Sequence, residues 1–319
     1  MHVIRSNRIA KTMGENMAVE KWLIHPGDTR VIDVEGVLSL KVGLVGGQVD
    51  LIAHDDPETR VEVRGVTVKD LRIEIAGGTL EIDHAQLGWD NFLEVFRNFG
   101  SGGPRAEVSI AAPRDVLVTL GVVSAGALVA GFHRDATVNT VSGDLLVDGH
   151  VGDLKANAVS GDVQVRGLAG SLSANTVSGD LTVAGDLVRA DVDTVSSTTF
   201  IDASGPVESI SHNGVSGAAT FRLDDGYPAN YALRSVSGNM TVDGVSRGGH
   251  GPSSYAGSAG ALSGSFVDVK VRTVAGDITV LRRSGIAPEP TRSADAGASD
   301  GAATDADAAS GTSDEKGAR

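Results

Sequence analysis

The sequence predicts an all-β chain, most of it a β-solenoid of 18-residue rungs behind an N-terminal β-rich cap. Three observations predict this. The motif VSGD recurs at Val141, Val159 and Val177, and the anchor valines Val123, Val141, Val159, Val177 and Val195 follow one another at intervals of 18 residues. A fixed period of that size with a glycine turn marks a stack of equivalent coils. The composition agrees: of 319 residues, 41% are apolar, only 4% are aromatic and 42 are glycines, which suits short strands and tight turns better than helices.

Residues 1–16 are polar and read as detached from the fold, or as lying ahead of a true start at Met17. They contain basic residues but no apolar stretch of a secretory signal. Residues 17–122 form the cap region. TRVIDVEGVLSLKVGLVGGQVDLIAHD alternates apolar and polar positions, and Gly46-Gly47 and Gly77-Gly78 read as hairpin turns. TRVEVRG, LRIEIAGGTLEID and AEVSIAAPRDVLVTL continue the pattern. WDNFLEVFRNF breaks it, with Trp89, Phe92, Leu93, Phe96 and Phe99 at helical spacing, Asp90 as N-cap and Gly100 beyond the end. This predicts one short helix laying an aromatic stripe on the sheet; the alternative is a helix that binds a partner.

Residues 123–283 form the rungs. Leu145 and Val147, Val163 and Val165, and Leu181 and Val183 define one inward strand; Leu154 and Ala156, then Leu172 and Ala174, define a second. Ala156 and Val159 lie three apart, so the alternation fails before the anchor valine and a bend must lie between them. Asn157, with Asn139 and Asn175, is placed at that corner in the left-handed conformation, its side chain bonding the equivalent Asn in the next rung. One rung buries too little to offset the ordering of its chain, so rungs must stack and the end edges need covers. The anchors then loosen to Val215, Val236 and Val274; the last gap exceeds one rung by an excess assigned to a Gly/Ser-rich loop, residues 246–265. Residues 284–319 are acidic with almost no large apolar side chains, a composition that predicts disorder.

The aspartates of the motif are the first candidates for chemistry. Asp144, Asp162 and Asp180 would stack ~4.8 Å apart, where two carboxylates repel by ~0.9 kcal/mol in water. They must be solvated, tied to turn amides or neutralised by a cation. Ser-Gly-Asp is a natural turn, with Gly143, Gly161 and Gly179 as its pivots. Cation binding is the weaker reading, because the column lapses to Thr198, Ala218 and Asn239 before Asp277 restores it, and the nine-residue repeat of calcium solenoids is absent. Glycoside cleavage needs two carboxylates facing one cleft, one of them in an apolar pocket, and no isolated acid of that kind stands out.

Other chemistries find little support. No two of the eight histidines share metal-ligand spacing on one element, so surface or turn positions are expected for them. There is no phosphate-cradling Gly-x-x-x-x-Gly-Lys loop and no Gly-x-Ser-x-Gly elbow, and no cofactor is expected. The chain has no cysteine, hence no disulfide or thiolate site. A net charge of -14 and a pI of 4.9 repel phosphate backbones, so no nucleic-acid partner is expected. No run approaches the ~18 apolar residues that span a bilayer; a cytoplasmic location is expected, with the cell surface by a non-standard route as the alternative.

Taken together, MAVEKWLI, GVLSLKVGLVGGQVDLIAHDDPETRVEV, LEIDH, the Trp89 segment, APRDVLVTLGVVSA and the TVSGD rungs resemble the bacterial "putative adhesin" family of actinobacterial type over about residues 17–282. The resemblance implies an adhesin-like β-solenoid domain of unknown function, without catalytic residues, whose membrane-anchored relatives are linked to envelope stress. The expected function is a non-enzymatic protein-interaction or scaffold module with an unknown protein partner. The alternatives are a polymer-forming scaffold resembling bactofilins and a carbohydrate-binding or carbohydrate-cleaving β-helix.

Overall fold

A computed structural model describes residues 19–84, 103–248, 251–262 and 264–283. Among them there is no helix, and none is long and apolar enough to cross a membrane. The expected helix at Trp89, Phe92, Phe96 and Phe99 lies outside the described residues, as do residues 1–16 and the acidic tail.

The N-terminal part runs through β1 (Glu20–Ile24), β2 (Arg30–Glu35), β3 (Ser39–His54), β4 (Glu58–Thr67), β5 (Leu71–Ala76), β6 (Thr79–His84), β7 (Arg105–Pro113) and β8 (Leu117–Ala130). Parallel stacking begins well before Val123. β3 lies parallel to β8 from Ser39↔Leu117 to Ile52↔Ala130, and its other edge carries β6 and β7, also parallel. The remaining strands close the end: β4 pairs antiparallel with β7 and β2 with β4, while β5 pairs with β6 and β1 with β5. Arg72 on β5 fixes one of these joints, donating bidentately to Asp83 on β6 at 2.8 and 2.7 Å. The cap is therefore an antiparallel cover grown onto the first rungs, with no break at residue 122.

The regular rungs comprise β9 (Ala136–Thr140), β10 (Leu145–Asp148), β11 (Leu154–Ser160), β12 (Val163–Ser178), β13 (Leu181–Ser196), β14 (Thr199–Ala203), β15 (Ser209–Ser216) and β16 (Ala219–Asp224). Each rung contributes to two parallel sheets joined by the Ser-Gly-Asp corner. In the front sheet Leu154 stacks on Ala136 and Leu172, and Ala190 on Ile210. In the back sheet Leu145 stacks on Val163, Val163 on Leu181 and Leu181 on Thr199. The inward side chains are mostly small to medium aliphatics, because facing positions of a thin coil leave little room for aromatics; the fully buried exceptions include Phe132 after β8, Phe221 on β16 and, further on, Tyr231.

The C-terminal rungs depart from sequence order. β17 (Ala229–Ser237), β18 (Met240–Val242), β19 (Val245–Ser246), β20 (Ser253–Ala259), β21 (Val267–Ala275) and β22 (Ile278–Arg283) complete the chain. β21 and β22 insert between two earlier rungs: they pair with β15 and β16 on one edge and with β17 and β18 on the other, all parallel. The spatial order of the anchor valines is thus Val215, Val274, Val236. All three rungs carry a valine followed two residues later by glycine, so periodicity alone could not rank them. The segment expected to be a loop, 246–265, supplies β20, which pairs antiparallel with β17 and covers the final edge. Its physical role is the one edge protection demands.

Three of the histidines expected on the surface are buried: His84, His150 and His212 are at most 3% exposed. Burial holds the His84 and His212 rings down to a pKa of about 4, and it also lowers that of His150. His212 packs edge-on against Phe221, with ring centroids 5.8 Å apart, where an aliphatic side chain lines other rungs.

Candidate functional site

Each letter of VSGD has its own role at the corner. The glycines sit where adjacent rungs come closest: a Cβ on Gly143 would lie 1.8 Å from the carbonyl oxygen of Ala125, one on Gly161 2.2 Å from that of Gly143, and one on Gly179 2.5 Å from that of Gly161. No side chain fits there. The serine hydroxyls reach back one rung, Ser142 Oγ donating to the Val123 carbonyl at 3.0 Å and Ser160 Oγ to that of Val141 at 3.2 Å.

The aspartates accept backbone amides from the following rung. Asp162 N donates to Asp144 Oδ1 at 3.2 Å and Asp180 N to Asp162 Oδ1 at 2.8 Å. Asn239 N donates to Asp277 Oδ1 at 2.7 Å, the same bond between rungs out of sequence order. Among the described residues no group of three or more His, Cys, Asp or Glu is placed to hold a metal ion. Asp144, Asp162 and Asp180 line up as a column that ties rung to rung.

The asparagines form a ladder without bending the chain. Asn157 Nδ2 donates to Asn139 Oδ1 at 2.8 Å and Asn175 Nδ2 to Asn157 Oδ1 at 2.9 Å; Asn213 continues it onto Asp193 Oδ1 at 2.9 Å. The left-handed corner expected at Asn139, Asn157 and Asn175 is absent. All three lie inside strands, and among the described non-glycine residues only Val68 and Asp243 have positive φ.

The reason lies in the anchor valines, expected to line the interior. None of those in the rungs joins the core: Val141 is covered but stands outside it, and Val159, Val177, Val195, Val215, Val274 and Val236 are 40–53% exposed. Ala156 and Ala158 point in while Asn157 and Val159 point out, so strand alternation is unbroken up to the corner. The bend falls after Val159, where Val159 and Ser160 both face solvent before Gly161 turns in. The valines therefore form a third outward column on the front sheet, parallel to the Asn ladder, with rungs ~4.8 Å apart.

Between the two columns runs a groove of about 570 Å³. Asn139, Asn157, Asn175 and Asp193 form one wall and Val141, Val159, Val177 and Val195 the other, over a floor of Thr140, Ala158, Thr176 and Thr194. Sequence reasoning found the asparagines but turned the valines inward; the signal it could have used was Ala158, whose small apolar side chain continues the inward series of Ala156. A second pocket, near 440 Å³, lies by the C-terminal cover against Tyr227, Asp243 and Arg282. There Arg282 is occupied structurally, donating to the Tyr227 carbonyl at 2.7 Å and to Tyr231 Oη at 3.2 Å.

Solved structures similar to the chain include a "putative lipid binding protein" from Parabacteroides distasonis, 15% identical, with 81% of this chain and 98% of that one covered at a TM-score of 0.47. A "putative adhesin" from Bacteroides fragilis is 12% identical, with 82% and 97% covered at a TM-score of 0.36. A "putative cell adhesion protein" from Clostridium sporogenes is 13% identical, with 80% and 99% covered at a TM-score of 0.28. No curated protein matches the chain. A family model matches residues 25–204, more than half of the chain and the region that holds the cap, the first rungs, the Asn ladder and the groove: the protein belongs to the Toastrack DUF4097 family.

Proposed function

We propose that this domain is a non-enzymatic binding module whose working surface is the front sheet, and that its partner is a protein. One observation carries the reading. Six valines stand exposed in a single column beside an amide ladder, over a length of five rung steps or ~24 Å. Scattered exposed apolar residues are ordinary, but a continuous apolar row on an otherwise polar surface marks an interaction site. The carboxylates that would have suggested catalysis accept backbone amides instead, which favours a structural duty for them. End-to-end polymerisation has less support, since β1 and β2 cover one end of the stack and β20 the other.

The test is site-specific photo-crosslinking in cells, with the reactive residue placed at Val177 on the front sheet or at Arg166 on the back sheet. A discrete protein adduct from position 177, absent from position 166, is expected. No adduct from position 177, or the same pattern from both, would overturn the reading.

A further inference from the structure

The outward charges of the front sheet match one another when the order of rungs is reversed. One rung carries Asp191, Asp193 and Val195; the next carries Ser211, Asn213 and Val215; the one after carries Lys270, Arg272 and Val274. Asp193 accepts an amide from Asn213. Lys270 shares its charge with Asp268 on its own strand, whereas Arg272 has no ion-pair partner among the described residues, and neither has Arg234 one rung further on. In a chain of net charge -14, the front sheet from β9 onward keeps more cations than carboxylates in its outward columns. Copies that repel elsewhere can therefore approach here.

Period is the second argument. A row of valines ~4.8 Å apart interdigitates with a surface of the same repeat, as paired sheets with identical side chains do. Another copy of the same solenoid has that repeat by identity.

We propose that the partner of the front sheet is a second copy of this chain, packed face to face with its axis antiparallel, about a two-fold through the Ser211–Val215 rung; this rests on the reading of the front sheet as the binding surface. In that arrangement each column faces its own copy with the rungs reversed. Asp191 meets Lys270 of the second copy, Asp193 meets Arg272, and Val195 meets Val274, each pair occurring twice. A two-fold along the solenoid axis would instead reverse the columns, setting Asp193 and Arg272 each against its own copy and Asp191 against Val195. Five facing rungs of five residues bury roughly 300–400 Å² per copy, about half of the ~800 Å² typical of a stable complex, so the dimer is reversible.

Sedimentation equilibrium of the full chain across a concentration series tests this, with Asp193→Arg, Arg272→Asp and the double variant beside the wild type. Thermal unfolding of each variant checks that it folds. The expected result is a reversible dimer that weakens about tenfold in each single variant and returns to near the wild-type dissociation constant in the double variant. A monomer at every concentration, a dimer indifferent to all three variants, or a double variant no better than the singles would each overturn the proposal. The crosslink from position 177 separates the two readings. An adduct of twice the chain mass supports the dimer, and an adduct to another protein overturns the dimer but leaves the front sheet as a binding surface. No adduct removes both.

Discussion

The α-carbon of Gly143 faces the carbonyl of Ala125 so closely that a methyl group placed there would sit 1.8 Å from the oxygen. The same approach recurs at Gly161, Gly217, Gly276 and Gly238, each against the rung below. The column carries a side chain at Ala125 and at Ser197, but at these glycines an added carbon meets the backbone of the rung below and cannot be relieved without shifting that rung.

Gly143→Ala should therefore cost about 3 kcal/mol or more, at the upper end of overpacking effects. Gly36→Ala, at a position with no heavy atom within 4 Å of the added carbon but with φ of +71°, should cost only the ~1 kcal/mol of its left-handed backbone. Chemical denaturation of the two variants measures the difference. Equal losses would mean the corner relaxes freely.

Asn157 donates to Asn139 and accepts from Asn175. Asn157→Ala removes both bonds and leaves a gap in the ladder, which should destabilise the fold by about 1–2 kcal/mol. The midpoint of urea unfolding should fall without a change in slope.

His84 and His212 are neutral in the fold, with pKa values of about 4 against 6.5 for the free ring. Between those values the unfolded chain binds more protons than the folded one, so stability is complete above pH 6.5 and declines as pH falls toward 4. The loss should approach about 3 kcal/mol per buried histidine at pH 4. His212→Leu should flatten the pH dependence measured between pH 7 and 5; an unchanged slope would mean that ring is not a determinant.

Replacing Asp144, Asp162 and Asp180 together by Asn keeps an oxygen in place to accept the amides that Asp144 and Asp162 now hold. The triple variant should fold with a Tm within a few degrees of wild type and keep the crosslink from position 177. A loss of that crosslink without loss of fold would give the aspartates a role in binding.

Much of this was legible in the residues. The 18-residue spacing, the inward pairs such as Leu145 with Val147, and the Asn ladder follow from period and alternation, which are local properties. The anchor valines were misread because a column that repeats with the rung can face either way, and only the strand geometry around Ala158 decides which. The histidines were misread against a signal the residues carry: His212 stands three residues before Val215, as inward Ala156 does before Val159 and Val192 before Val195.

By itself, the sequence determined the repeat: how many residues make a coil, where its Ser-Gly-Asp corner falls, and inward pairs such as Leu145 with Val147 and Leu154 with Ala156. The tertiary structure decided the order of the last rungs and the face on which the valines stand. The period is set by covalent chain length and backbone sterics, which each rung carries within itself. Rung order depends on which edge pairs with which; the Val215, Val236 and Val274 rungs offer nearly the same edge, and contacts between distant parts of the chain distinguish them, among them β20 on the outer edge of β17 and Arg283 against Asp202 and Asp224.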